Sequence, residues 1–106
     1  MNQLNVFELA AMIDEGRDLF LLDVREPHEV AEASISGSYN IPLGELDARK
    51  GELPTDVPVV TMCRSGGRSS RAAALLEQAG WQVSNLDGGM LAWQDAYRSS
   101  VISGRR

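Results

Sequence analysis

Residues 58–69 read Pro58-Val59-Val60-Thr61-Met62-Cys63-Arg64-Ser65-Gly66-Gly67-Arg68-Ser69. The first five are mostly apolar and β-branched with no helical period, which predicts a short strand buried within a parallel sheet. Downstream, Ala72, Leu75, Leu76 and Ala79 recur at helical spacing and stop at Gly80, predicting an amphipathic helix closed by a glycine. The residues between are therefore a strand-to-helix loop, with Cys63 at the carboxyl end of the strand.

Such a loop has an electrostatic character of its own. The first N–H groups of a helix have no internal partners, and the macrodipole is positive at that end. Gly66 and Gly67 lack a Cβ, so the chain can curl and turn successive N–H groups into a concave anion nest. Arg64 and Arg68 add two full positive charges. A thiol facing this nest loses its proton more readily than a free cysteine, whose pKa is about 8.5, and the thiolate is the nucleophile. The stretch reads as a reactive sulfur at the base of an anion-binding cup.

The rest of the chain supplies a frame for that loop. Asn5 and Glu8 have capping-box spacing, and Val6, Leu9, Ala10 and Ile13 form a helical stripe ending at Gly16. Leu19 to Leu22 is a continuous apolar run predicting a central strand that ends at Asp23, with Arg25 and Glu26 just beyond it. Carboxyl ends of strands line the ligand crevice in open α/β sheets, which puts these charges on the same edge as Cys63. Pro27 opens a short helical piece over Glu29 to Ala33. Ser36, Gly37 and Ser38 turn into a brief strand, Tyr39 to Ile41, and Leu43 to Arg49 can form a short helix. Trp81 to Leu86 is strand-like. Asp87, Gly88 and Gly89 then turn into a last helix with Met90, Trp93 and Tyr97 on one face. Alternating strands and helices predict an α/β fold, a parallel sheet covered by helices on both faces.

Composition bounds what this frame can do. The chain has 106 residues, 43% hydrophobic and 24% charged, enough for one domain with a real core. We expect that domain over residues 1–98, with 99–106 a loosely held tail. A net charge of −5, from 10 basic and 15 acidic residues, argues against nucleic acid and against anionic membrane as partners. Around the loop the balance reverses. Arg64, Arg68 and Arg71 cluster with no acidic residue between Asp56 and Glu77, which favours a small anion. One cysteine forbids an internal disulfide, and one histidine far from it makes no metal spacing, so neither a metal nor another cofactor is implied. The amino terminus has no basic or apolar leader pattern, and the expected location is cytoplasmic.

Four motifs together resemble the single-domain rhodaneses, the thiosulfate sulfurtransferase family. They are Leu22-Asp23-Val24-Arg25-Glu26, Asn40-Ile41-Pro42, the Cys63 to Ser69 loop, and Gly88-Gly89-Met90-Leu91-Ala92-Trp93. The resemblance runs from about the first helix to Tyr97. It implies a rhodanese-like sheet of five parallel strands and a cysteine, here Cys63, that carries a persulfide. The implied reaction moves sulfane sulfur from thiosulfate to cyanide or a thiol. Backbone N–H groups of Arg64, Ser65, Gly66, Gly67, Arg68 and Ser69, with the Arg68 guanidinium, would cradle the small anionic donor. A sulfur-carrier protein is a further candidate partner. Cys63 and Arg68 have four residues between them, whereas phosphatases with this fold have one more, and the tighter loop resembles the sulfurtransferase form. One segment departs from the family. Ala33-Ser34-Ile35-Ser36-Gly37-Ser38 replaces a Gly-His-Ile-Pro-Gly-Ala pattern, and an altered loop is expected there.

Other readings stay open beside this one. A persulfide relay fed by a partner protein, or a rhodanese-fold domain that only binds proteins, would carry much the same sequence. Asp23 and Arg25 read as a structural ion pair or loop brace that supports the cup rather than as catalysts. Trp93 reads as core, and His28 as a solvated helix residue.

Overall fold

The computed structural model describes residues 1–97 of the chain; the tail expected at 99–106 lies outside the described residues. Five strands form one parallel sheet: β1 (Asn2–Leu4), β2 (Phe20–Asp23), β3 (Tyr39–Asn40), β4 (Val59–Met62) and β5 (Val83–Leu86). Their order across the sheet is β1-β5-β4-β2-β3. The cysteine-bearing strand β4 is thus central, flanked by β2 and β5. Four helices connect them, α1 (Val6–Asp14), α2 (Pro27–Glu32), α3 (Leu43–Arg49) and α4 (Gly67–Gln78), and a fifth, α5 (Gly89–Ala96), follows β5. A 3-10 turn, Lys50–Glu52, follows α3.

Alternation along the strands divides the interior into two cores, as a sheet buried on both faces requires. On one side Leu22, Val59 and Cys63 pack with Leu46 of α3 and with Ala72, Ala73 and Leu76 of α4. On the other, Leu21, Val60, Met62 and Leu86 pack with Val6 and Leu9 of α1 and Met90 of α5. The expected stripe of α4 is rotated slightly. Ser69, Ala72, Ala73 and Leu76 are the buried residues, Leu75 is half-buried, and Ala79 is exposed. The stripe of α1 is also narrower than expected, because Val6 and Leu9 are buried whereas Ile13 is 42% exposed. The Asn5 capping box is present in both directions, with 2.8 Å hydrogen bonds between Asn5 and Glu8.

Strand β1 had no counterpart among the strands read from residue pattern; only the family resemblance implied a fifth. Asn2 and Gln3 are exposed and Leu4 is half-buried, so an edge strand of three residues carries no apolar alternation. Its pairing is visible only in three dimensions, where Asn2, Gln3 and Leu4 lie opposite Ser84, Asn85 and Leu86. The departing segment 33–38 keeps an anchor in the core through Ile35, and the Ser38 N–H closes its turn onto the Ile35 carbonyl at 3.1 Å. Among the described residues no helix is long and apolar enough to cross a membrane.

Candidate active site

Cys63 follows directly on β4 and is 1% exposed. The chain then turns through Gly66, whose φ of +113° lies in the left-handed region that glycine alone enters cheaply. That turn aims the Gly66 N–H at the Cys63 sulfur, 3.1 Å away, and the Ser69 hydroxyl reaches the same sulfur at 3.3 Å. Gly67 does not share this role: it is the first residue of α4, and a Cβ built on it would meet nothing within 4 Å. The nest therefore depends on one glycine of the pair. Burial, the largest single influence on the thiol, pushes its pKa up. Hydrogen bonds from the Ser69 hydroxyl and from the N–H groups of Ser69, Gly66 and Ser65 outweigh it, so the net shift is downward.

The carbonyls of the loop are engaged from outside. Met90 donates its N–H to the Cys63 carbonyl at 2.8 Å, and Leu91 donates to the Arg64 carbonyl at 3.0 Å. The amino end of α5 thus holds the loop with its carbonyls turned away from the sulfur and its N–H groups free to face it. This approach requires Gly89. Its φ is +57°, and a Cβ there would collide with the Cys63 carbonyl oxygen and lie 2.7 Å from the Arg64 carbonyl oxygen. A turn beside the site was legible in the sequence; its direct seating on the cysteine loop was not.

Behind the loop lies a buried polar network that sequence reasoning missed. The Thr61 hydroxyl donates to the Ser69 carbonyl at 2.9 Å and lies 3.3 Å from Asn85 Oδ1. Asn85 Nδ2 in turn donates to Ser70 Oγ at 3.1 Å and to Gln3 Oε1 at 2.9 Å. Strands β1, β4 and β5 are tied in this way to the first turn of α4, which fixes where Ser69 sits. The available signal was Thr61 inside the otherwise apolar β4 and Asn85 between Ser84 and Leu86 in β5, since buried polar groups persist only where they are bonded.

Asp23 and Arg25 form a buried ion pair, the first of the two arrangements the sequence suggested for them. Arg25 Nη2 and Nε donate to the Asp23 carboxylate at 2.7–3.1 Å, both side chains being almost fully buried. Nη2 also donates to the Ala33 carbonyl at 2.8 Å, and Nη1 donates to the Glu29 carbonyl at 3.4 Å. Asn40 Nδ2 caps the Asp23 and Arg25 carbonyls, each at 2.9 Å. The pair stands beside the cup and makes no contact with the sulfur. A cavity of about 350 Å³ opens next to the loop, lined by Arg25, His28, Glu29, Glu32, Arg64 and Met90 among others. Arg64 is exposed there.

Arg68 has a partner that the sequence did not suggest. Its guanidinium forms a two-point ion pair with Glu29 of α2, Nη1 to Oε1 at 2.7 Å and Nη2 to Oε2 at 2.9 Å. These hydrogen bonds hold the Glu29 carboxyl down at about 2, against the opposing effect of burial. Of the loop residues singled out from sequence, the structure brings Cys63, Ser65, Gly66 and Ser69 together around the sulfur. Arg64 stands at the cavity wall, and Arg68 is joined to Glu29 at the rim.

A cysteine in a hydrogen-bonding loop between a central parallel strand and a helix amino terminus is an arrangement suited to thiolate chemistry on an α/β sheet. The chain belongs to the rhodanese-like domain family, whose model matches residues 6–96. A protein named sulfurtransferase from Allochromatium vinosum is 37% identical over 94 residues, covering 88% of each chain. A putative sulfurtransferase of Bacillus subtilis, YtwF, is 34% identical, covering 89% of this chain and 91% of its own. Among solved structures, a rhodanese-related protein from Thermoplasma volcanium superposes with a TM-score of 0.86 at 32% identity, covering 92% of this chain and 94% of its own. Family and relatives together support sulfur transfer as the general activity.

Proposed function

We propose that this protein is a sulfurtransferase that carries sulfane sulfur as a persulfide on Cys63, with thiosulfate or another sulfane donor as the source. The observation that carries this reading is the convergence of the Gly66 N–H and the Ser69 hydroxyl on a lone cysteine sulfur whose pKa is lowered. The Cys63 thiolate attacks the outer sulfur of thiosulfate. A new S–S bond forms, the S–S bond of the donor breaks, and sulfite leaves with its electron pair. The persulfide's terminal sulfur is anionic, and the N–H groups at the start of α4 favour negative charge at that position. An acceptor such as cyanide or a thiol, free or on a sulfur-carrier protein, then attacks the outer sulfur and regenerates the thiolate. The lowered pKa raises the thiolate fraction, which lessens the need for a general base.

A relay fed by a partner protein is the second reading, favoured by the engagement of Arg68 with Glu29, which leaves less free positive charge for a small dianion. Intact-protein mass after brief exposure to thiosulfate tests the first. The wild type should gain one sulfur and lose it on addition of cyanide, and Cys63→Ser should gain none. A wild type with a free thiol that gains no sulfur would reject thiosulfate as donor.

A further inference from the structure

The Arg68–Glu29 pair joins two segments that are 39 residues apart in the chain. Glu29 does two things at once. Its Oε1 accepts the Glu26 N–H at 2.9 Å, capping α2, and also accepts Arg68 Nη1 at 2.7 Å. The helix that follows β2 is thereby pinned to the second residue of α4, at the edge of the cysteine loop. Held at about 2 by the hydrogen bonds from Arg68, the carboxyl is ionised at neutral pH. Arg68 lies within electrostatic reach of the Cys63 sulfur.

The charge near the cup is consequently very different from that of the loop in isolation. By sequence, the loop holds two arginines and no acid. In the folded protein the Arg68 charge is matched by Glu29 and the Arg25 charge by Asp23, and Glu32 lines the same cavity as the exposed Arg64, while Arg71 of α4 is exposed as well. A cup that concentrates small dianions by charge would leave its nearest guanidinium open, because each unpaired cation attracts a dianion twice as strongly as a monoanion.

We propose that Glu29 is a charge-selecting positioning residue. By holding the Arg68 guanidinium in a two-point pair at the rim, it lowers the site's preference for small dianions such as thiosulfate and shifts selection toward donors of lower charge. This rests on the sulfur-transfer reading for its biological meaning, but its physical content concerns only which charges can approach the Cys63 sulfur.

The test compares alkylation of Cys63 by iodoacetate and by the neutral reagent iodoacetamide, in the wild type, Glu29→Gln and Glu32→Gln. The ratio of the two rates cancels any change in thiolate fraction, and a purely structural role for Glu29 would not move it. The amide oxygen introduced by Glu29→Gln still accepts the Glu26 N–H, so the α2 cap survives. Removing one negative charge at this range should raise the iodoacetate-to-iodoacetamide ratio by roughly 3- to 10-fold in Glu29→Gln, and by clearly less in Glu32→Gln. In the sulfur-transfer assay, KM for thiosulfate should fall by at least that factor while kcat stays within about twofold. An unchanged ratio in Glu29→Gln, or an equal rise in Glu32→Gln, overturns the proposal. A Cys63 inert to both reagents in the wild type would overturn the functional reading itself and the proposal with it.

Discussion

Replacing Gly89 with alanine tests whether the amino end of α5 builds the cysteine loop or merely follows it. Two costs arise from the geometry. At φ +57° an L-residue loses about 1–2 kcal/mol relative to glycine. The added Cβ would also lie 2.7 Å from the Arg64 carbonyl oxygen and closer still to that of Cys63, whereas ordinary contact begins at 3.4 Å. One side must retreat by several tenths of an ångström or more, and both are backbone. The hydrogen bonds from Met90 and Leu91 to those carbonyls then stretch, and a typical bond of this kind contributes about 0.5–1.5 kcal/mol. Together the expected loss is about 2–4 kcal/mol, a large share of the stability of a small domain. Urea unfolding read by tryptophan fluorescence measures the loss, and the rate of Cys63 alkylation by iodoacetamide reports the sulfur's surroundings. Gly67→Ala is the matched comparison, because that position has a helical φ and open space, so it should unfold within about 0.5 kcal/mol of the wild type. Equal stability and equal Cys63 reactivity in Gly89→Ala and Gly67→Ala would refute the claim that α5 shapes the loop.

Two further outcomes follow from the site. The alkylation rate of Cys63 should rise with pH to a midpoint below that of a free thiol, because hydrogen bonds favour the thiolate. Ser69→Ala removes the strongest of them and should shift the midpoint upward; a profile that did not move would deny Ser69 its part in activating the sulfur. Arg25→Met strands the buried Asp23 carboxylate without its partner, and breaking a buried pair in this way costs about 3–5 kcal/mol. Urea denaturation would expose that loss, and a variant as stable as the wild type would show that the pair braces nothing.

The sequence by itself determined the parts whose information is local. Continuous apolar runs marked the segments that became β2 and β4, and helical periodicity marked those that became α1, α4 and α5, because a strand buried on both faces leaves a run whereas a helix buried on one face leaves a stripe. The lone cysteine before a Gly-Gly turn at a helix start placed the candidate nucleophile, since strand, loop and helix dipole are all contiguous in the chain. Asp23 and Arg25, two residues apart, were legible as a pair for the same reason.

Only the tertiary structure decided what depends on residues meeting from distant segments. Edge strand β1 is defined by its partner β5 rather than by any pattern in Asn2, Gln3 and Leu4. Which glycines carry strain was settled by approach. Gly66 and Gly89 are needed and Gly67 is not, because α5 seats on the loop from another part of the chain. Asn85 meets Gln3 across 82 residues and Thr61 across 24, and Arg68 meets Glu29 across 39. A charge in a sequence is visible, but its field is not, because that field depends on the opposite charge folded against it.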